Sequence, residues 1–271
     1  MSPLSVATFN LHAGVDGWGR PYDVLEACRS LDADVLVLQE VWVPDDEEGL
    51  AQRIAAGLGY RATYVPAAMV RLYPPVTAAP SSWGPLDRTR LGVGVRVEAR
   101  RRRRAGVREG GTGAPALRRR VGQRGTIGLA LLARVPTGPV EVLDLGSLPG
   151  DGVRRIALRT VVEGPDAPLS VAGTHMSHLR HGSPVQIRRL ARLLPGREQR
   201  GLLLGDMNLW GPPLSLLLPG WRRAVVGRTW PSWRRLFQID HVLATDSVAV
   251  LDGAVVWAGR SDHLPLRVVV D

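Results

Sequence analysis

Short runs of aliphatic residues, each closed by a polar side chain, recur along the whole chain. In Asp34-Val35-Leu36-Val37-Leu38-Gln39-Glu40, four consecutive apolar residues predict a strand buried on both faces, with Gln39 and Glu40 at its carboxyl end. Gly201-Leu202-Leu203-Leu204-Gly205-Asp206-Met207-Asn208 repeats the pattern. Its three leucines predict another core strand, Gly205 lets the backbone turn, and Asp206 and Asn208 stand two apart where the strand opens into a loop. Leu4 to Phe9 alternates small or polar with apolar residues and runs into Asn10, Leu11 and His12. Further strands are predicted at 60–65, 126–134, 140–145, 154–162, 169–173, 238–243, 248–257 and 266–270. The strand over 169–173 leads into Thr174-His175.

Helical spacing is rarer. Tyr22, Leu25, Cys28 and Leu31 share one face. Asp45, Asp46, Glu47 and Glu48 precede an apolar-periodic segment that Gly59 stops, which matches the helix dipole and capping rules, so these acids read as structural. Ser183, Pro184 and Gln186 read as a capping box with proline at the first helical position, opening a helix to about Leu194. Residues 211–237 are loop-rich and carry Trp221, Trp230 and Trp233 among arginines. Core packing is the simpler role for each Trp; stacking on bases or on a lipid headgroup is the other. With strands dominant, helices between them, no repeat and no linker, the pattern predicts a single α+β or layered α/β domain over 1–271, two sheets packed face to face with helices outside. Residues 66–126 interrupt this order. They are rich in Pro, Gly and Arg, including Arg100–Arg104 and Arg118–Arg120, and read as an excursion or a poorly ordered loop, with a strand at Leu91–Val97 inside it.

Composition narrows the setting. The 271 residues are 45% hydrophobic and 22% charged, an ordinary globular balance. No apolar run nears the ~18 residues that span a bilayer, so no stable membrane insertion is expected. The amino terminus lacks a basic region followed by an apolar one. A lone Cys28 fits a reducing, cytoplasmic compartment and reads as core rather than as a catalytic thiol. The net charge is +10, and every basic residue is arginine. Arginine forms bidentate contacts with phosphate, so the balance points to a phosphate-bearing polyanion, nucleic acid first, beside the plainer reading of a solvated surface.

The candidate chemistry lies at the strand ends. A carboxylate at the end of a core strand is costly if merely buried. At the floor of an open site it can hold a metal or an attacking water. Glu40 and Asp206 close two such strands, Asp240 opens a third in Gln238-Ile239-Asp240-His241, and Ser261-Asp262-His263 enters the last. Adjacent Asp and His suit metal ligation and general acid–base work. Taken singly, Asn10 is as readily a turn former and His175 a side chain satisfied by a backbone carbonyl.

Taken in order, Asn10, Leu38-Gln39-Glu40-Val41, Gly173-Thr174-His175, Gly205-Asp206-Met207-Asn208, Gln238-Ile239-Asp240-His241 and Ser261-Asp262-His263 resemble the endonuclease/exonuclease/phosphatase superfamily, the deoxyribonuclease I-like family, over almost the whole chain. The resemblance implies a four-layered α/β/β/α sandwich and cleavage of phosphoester bonds with Mg²⁺ or Mn²⁺. It implies Glu40 as principal metal ligand with Asn10 and Asp262 close by. Asp206 would orient or deprotonate the attacking water, Asn208 would bond the scissile phosphate, and His263 paired with Asp240 would stabilise phosphoryl charge or act as general acid or base. His175 would be a second phosphate-contacting histidine. Many relatives carry Gly-Asn where this chain has Gly128-Leu129, and no acidic partner for the first histidine is legible. Nuclease or phosphodiesterase action on nucleic acid ranks first, a lipid or small-molecule phosphodiesterase or phosphatase second, and a catalytically silent nucleic-acid-binding module third.

Overall fold

The computed structural model describes residues 2–72, 96–97, 122–149, 151, 153–178, 182–194, 196 and 198–271. In chain order the elements are β1 (Leu4–Asn10), a 3₁₀ turn (His12–Gly14), α1 (Val24–Arg29), β2 (Val35–Pro44), α2 (Leu50–Leu58), β3 (Arg61–Leu72), β4 (Arg96–Val97), β5 (Gln123–Ala133), β6 (Glu141–Gly146), β7 (Arg155–Val162), β8 (Leu169–His175), α3 (Gly182–Ala191), β9 (Gly201–Asp206), α4 (Gly211–Leu217), β10 (Trp221–Arg223), β11 (Asp240–Thr245), β12 (Val250–Val255) and β13 (Leu266–Val270). One sheet has the order β12-β13-β1-β2-β5-β3-β4 and the other β10-β11-β9-β8-β7-β6.

The period-2 alternation of strand side chains sorts most of the apolar residues into three large cores, with a smaller one of Ala13, Trp42, Val70 and Ile127 beside them. Leu4 and Val6 of β1, Val35 and Val37 of β2, and Leu129 and Leu131 of β5 meet Val171 of β8 and Leu202 and Leu204 of β9 between the sheets. The opposite faces of the same strands, Phe9, Leu36, Leu38, Ala130 and Leu132, pack on Val24, Ala27 and Cys28 of α1 and on Ala51 and Ile54 of α2. Ala172 and Leu203 pack with Ile187 and Leu190 of α3 and Leu214 of α4. Helix, sheet, sheet, helix is therefore the layering, as the strand pattern predicts. Cys28 is fully buried, and burial pushes its thiol up to about 12, which suits a core residue.

Four local expectations change. β3 continues through Pro66 to Leu72 and β5 begins at Gln123, so both ends of the 66–126 stretch belong to a long antiparallel pair. Pro66 is tolerated there because the register shifts between Pro66 and Ala68. Val97 and Arg96 pair with β3, while the arginine runs lie outside the described residues. Second, Asp45 to Glu48 lead into α2 and Gly59 caps its end as the sequence suggests, but Gly49 is the N-cap and no acidic residue lies in the first turn. Third, Ser183 lies inside α3, and the Gln186 Oε1 atom accepts from the Ser177 N–H at 2.9 Å rather than closing a capping box. Gly211-Pro212-Pro213 also opens a short helix, α4, within the stretch read as loop.

Gly173 sets the spacing of the sheets beside the ends of β8 and β2. A Cβ there would lie 2.2 Å from Val37 Cγ1, across the inter-sheet core. The substitution Gly173→Ala is expected to lower unfolding stability by about 1–3 kcal/mol through overpacking. Gly196→Ala, where an added Cβ meets nothing within 4 Å, serves as the control. Equal urea midpoints for the two variants would refute the tight approach.

Candidate active site

The strand pairing brings distant polar residues together. β1 and β2 run parallel, so Asn10 lies opposite Gln39, with Glu40 next in line; Glu40 does not close β2 as its sequence suggests, because the strand resumes pairing at Val41 and runs to Pro44. The β2–β5 register shifts between Leu38 and Val41, and Glu40 adopts a left-handed backbone (φ 49°) at that irregularity. β8 and β9 are also parallel and place His175 opposite Asp206. β11 is antiparallel to β9 and sets Asp240 opposite Asp206. Gly205 permits this convergence. Its φ is 139°, and a Cβ would lie 2.0 Å from the Thr174 carbonyl oxygen. Asp262 and His263 arrive on the loop before β13, where Ser261 Oγ donates to the Asn10 carbonyl at 2.7 Å.

At the centre, the Asn10 Nδ2 amide donates to Asp206 Oδ2 at 3.1 Å and to Glu40 Oε1 at 3.4 Å, which joins the two sheets. Asp206 Oδ1 accepts the Asn208 N–H at 2.9 Å, and the Asn208 side-chain amide donates to the Met176 carbonyl at 2.9 Å. His175 Nε2 lies 3.6 Å from Asp206 Oδ2 and 4.0 Å from Glu40 Oε1. The Asp240 carboxylate holds His263 Nδ1 at 2.9 and 3.1 Å, which leaves His263 Nε2 3.8 Å from Asp206 and 3.9 Å from Asp262. All eight residues singled out in the sequence therefore belong to one neighbourhood.

The charges are unequal. Burial, then the neighbouring Asp240 carboxylate, pushes Asp206 up to about 7. Burial works against a charged His263, yet the surrounding Asp240, Asp262 and Asp206 hold its imidazole well above the ordinary range. Burial and the nearby Arg155 guanidinium hold His175 well below it, in the neutral form.

Arg155 and His12 escaped the sequence reading, and Trp230, read there as core or as a stacking ring, makes a further contact with the site. Arg155, only 5% exposed, donates to Asp151 at 3.1 Å and to the His175 carbonyl at 3.5 Å. It stands behind the first histidine. An arginine at a strand entrance reads as solvated, and nothing in the sequence pairs it with Asp151. His12 Nδ1 lies 3.1 Å from the Val15 carbonyl and 3.5 Å from Asp262 Oδ1, while its N–H bonds the Asn10 side-chain oxygen at 3.0 Å. Trp230 Nε1 donates to Asp262 Oδ2 at 3.3 Å. Of the tryptophans named above, Trp221 is core, whereas Trp230 and Trp233 are half-buried at the rim.

The donor set fits a hard divalent cation. It is rich in oxygen, and of the burial and Asp240 repulsion that together lift Asp206, the repulsion is what a nearby cation relieves. Asp206, Asp240 and His263 offer ligand atoms within 4.8 Å of one another, but Asp240 already engages His263 with both oxygens. Glu40, whose side chain is 24% exposed, is the more open carboxylate.

A sequence profile described as the Endonuclease/Exonuclease/phosphatase family matches residues 7–263. No curated protein sequence matches the chain. Among solved structures, an endonuclease/exonuclease/phosphatase from Beutenbergia cavernae superposes with a TM-score of 0.64 at 20% identity, covering 100% of this chain and 72% of that one. A family protein from Leptotrichia buccalis gives 0.64 at 12% identity, with 99% of each chain covered. D. rerio TDP2 complexed with single strand DNA product gives 0.59 at 14% identity, with 100% of each covered. At these identities the likeness is one of fold.

His241, beside Asp240, is fully buried and its Nε2 bonds the Leu209 carbonyl at 2.8 Å. Burial pushes it down to about 4. A histidine kept neutral in the fold charges near 6.5 when unfolded, so its stabilisation is complete above that pH and is lost as pH falls toward 4. At about 1.4 kcal/mol per unit, roughly 2–3 kcal/mol should vanish by about pH 4.5. Urea unfolding between pH 7 and 4.5 should show a flatter pH dependence for His241→Gln than for the wild type; identical slopes would remove His241 from the account.

Proposed function

The chain belongs to the Endonuclease/Exonuclease/phosphatase family, and from that premise we propose that it is a divalent-metal-dependent phosphodiesterase that cleaves nucleic acid by in-line attack of an activated water. The observation that carries this reading is the Asn10 amide bridging Glu40 and Asp206, with the Asp240–His263 pair beside it.

Glu40, with Asn10 and Asp262, would hold Mg²⁺ or Mn²⁺. When bound, the cation neutralises charge on the phosphoryl oxygens and favours the ionised form of the nearby carboxylates. Asp206 orients the attacking water and takes its proton at Oδ2; the Asn208 N–H fixes the other carboxylate oxygen. Asp240 holds His263 Nδ1, so Nε2 is the atom that donates to a phosphoryl oxygen. His175, kept neutral, donates from Nε2 to a second oxygen without adding to the local charge. Asn208 places its amide beside the same phosphate.

Nucleic acid is favoured over other phosphodiesters by the net charge of +10 carried wholly by arginine. The D. rerio fold neighbour, captured with single strand DNA product, makes DNA a natural first substrate. A lipid phosphodiester is the second reading, on the strength of exposed Phe237 and Trp257.

Hydrolysis of plasmid DNA, an abasic-site duplex, RNA, sphingomyelin and p-nitrophenyl phosphate esters should be compared with Mg²⁺ and with EDTA. Metal-dependent cleavage of a nucleic acid is expected; cleavage of the lipid or small esters alone would replace the substrate. Asp206→Asn should abolish turnover without lowering the thermal unfolding temperature, because a neutral amide cannot take a proton from water yet relieves the carboxylate repulsion. His263→Ala should slow turnover by ~10² or more. Near-wild-type rates in either variant would remove the role given to that residue.

A further inference from the structure

The loop between β10 and β11, residues 224–239, takes no part in the proton transfers above. It carries Trp230, Trp233 and Phe237 together with the exposed Arg228, Arg234 and Arg235. It is firmly built. Thr229 and Trp230 N–H both donate to the Phe237 carbonyl, at 2.8 and 3.0 Å, and the Phe237 N–H returns a bond to the Trp230 carbonyl at 2.8 Å. The loop is also fastened to the catalytic segment. Ser232 donates from its N–H to the Asp262 carbonyl and from its hydroxyl to the Ser261 carbonyl, both at 2.7 Å, and Leu264 N–H donates to the Thr229 carbonyl at 2.9 Å.

This frame sets up a column of rings that leads outward from the reacting centre. The Trp230 ring is tilted against the His263 imidazole with centroids 6.5 Å apart. Phe237 stacks on Trp230 at 6.4 Å with an interplanar angle of 28°. Phe237 is 52% exposed although it is a large apolar side chain. Nearby on the chain, the Arg235 guanidinium lies 5.0 Å above the ring of Trp257, itself 67% exposed.

We propose that Phe237, backed by Trp230, is a stacking shelf for one unpaired base of a single-stranded nucleic acid, with Arg234 and Arg235 reaching the phosphates beside it. The proposal rests on the nucleic-acid reading above and deepens it, because it names the strand state. Bases inside a duplex already cover one another's faces, whereas an unpaired base offers a free face to an aromatic ring. The pairing of rings with guanidinium groups also separates this surface from a lipid-docking patch. A cation covers one face of Trp257, and the arginines match a polyanion whose flat bases alternate with charge.

The test uses the full-length protein in EDTA, so that nothing is cut. Two fluorescein-labelled probes of equal length and charge are titrated: an oligodeoxyadenylate, and the same backbone with every base replaced by an abasic spacer. Wild type should prefer the base-bearing strand by roughly five- to a hundred-fold. F237A should bring that ratio close to one, with the affinity for the spacer strand unchanged, and F237W should restore it. Because Phe237 is half exposed and its loop contacts are made by the backbone, circular dichroism should confirm that both variants fold. The shelf is overturned if wild type does not distinguish the probes, or if F237A distinguishes them as well as wild type. It is also overturned if the variant loses binding only to phosphatidylserine vesicles, which would assign the surface to a lipid. The readout does not depend on turnover. A protein that cuts DNA but ignores the bases refutes the shelf alone; one that prefers bases but cuts no phosphodiester refutes the hydrolytic reading alone.

Discussion

Several carboxylates share one poorly hydrated site, and the structure is arranged around keeping them there. Asp206, Asp240 and Asp262 are each less than a tenth exposed, with Glu40 alongside. Like charges at this spacing destabilise one another in a low-dielectric setting. The protein answers with donors fixed by the backbone: the Asn10 amide between Glu40 and Asp206, the Asn208 N–H on Asp206, and an imidazolium held by Asp240. What these donors leave uncompensated is negative potential, and it faces the place where a hard cation would sit.

That arrangement uses strand direction. Parallel pairs β1–β2 and β8–β9 bring the carboxyl ends of β1, β8 and β9 to one rim, beside the irregularity within β2 that carries Glu40. Antiparallel β11 brings its first residue, Asp240, to the same level. Two glycines let the layers close around this point. Gly205 lets the Thr174 carbonyl approach β9, and Gly173 leaves room for Val37 between the sheets. Packing and catalysis are thus solved by the same short segments, since Gly173 and Gly205 immediately precede Thr174-His175 and Asp206.

Much of this was legible because a polar residue ending an apolar run is a local signal. Glu40 and Asp206 stand out on that basis, whereas Asn10 and His175, ordinary when taken singly, gain their place only from the ordered motifs that resemble the family; the layer architecture follows from strand alternation. The misses have local causes too. Pro66 reads as a breaker, but at a bulge its missing N–H is not needed, so β3 runs further than its sequence suggests. Gly211-Pro212-Pro213 reads as loop because the prolines hide a helix start. Asp151 and Arg155 stand four apart in a stretch without helical periodicity, so no spacing rule announces their pair or that Arg155 stands behind His175. His12 owes its position to a left-handed backbone that follows Asn10, a feature of the turn rather than of residue type.

The place of β1 has a consequence in time. It lies between β2, which follows it closely in the chain, and β13, which is made some 250 residues later. While a ribosome is extending the polypeptide, Asn10, Glu40 and Asp206 exist long before Ser261 can fasten to the Asn10 carbonyl and before His263 can reach Asp240. Long-range closure of this kind is slow to form. The nascent chain therefore holds Asn10, Glu40, His175 and Asp206 without the Ser261-Asp262-His263 side of the cluster, which closes only when the late strand pairs with β1.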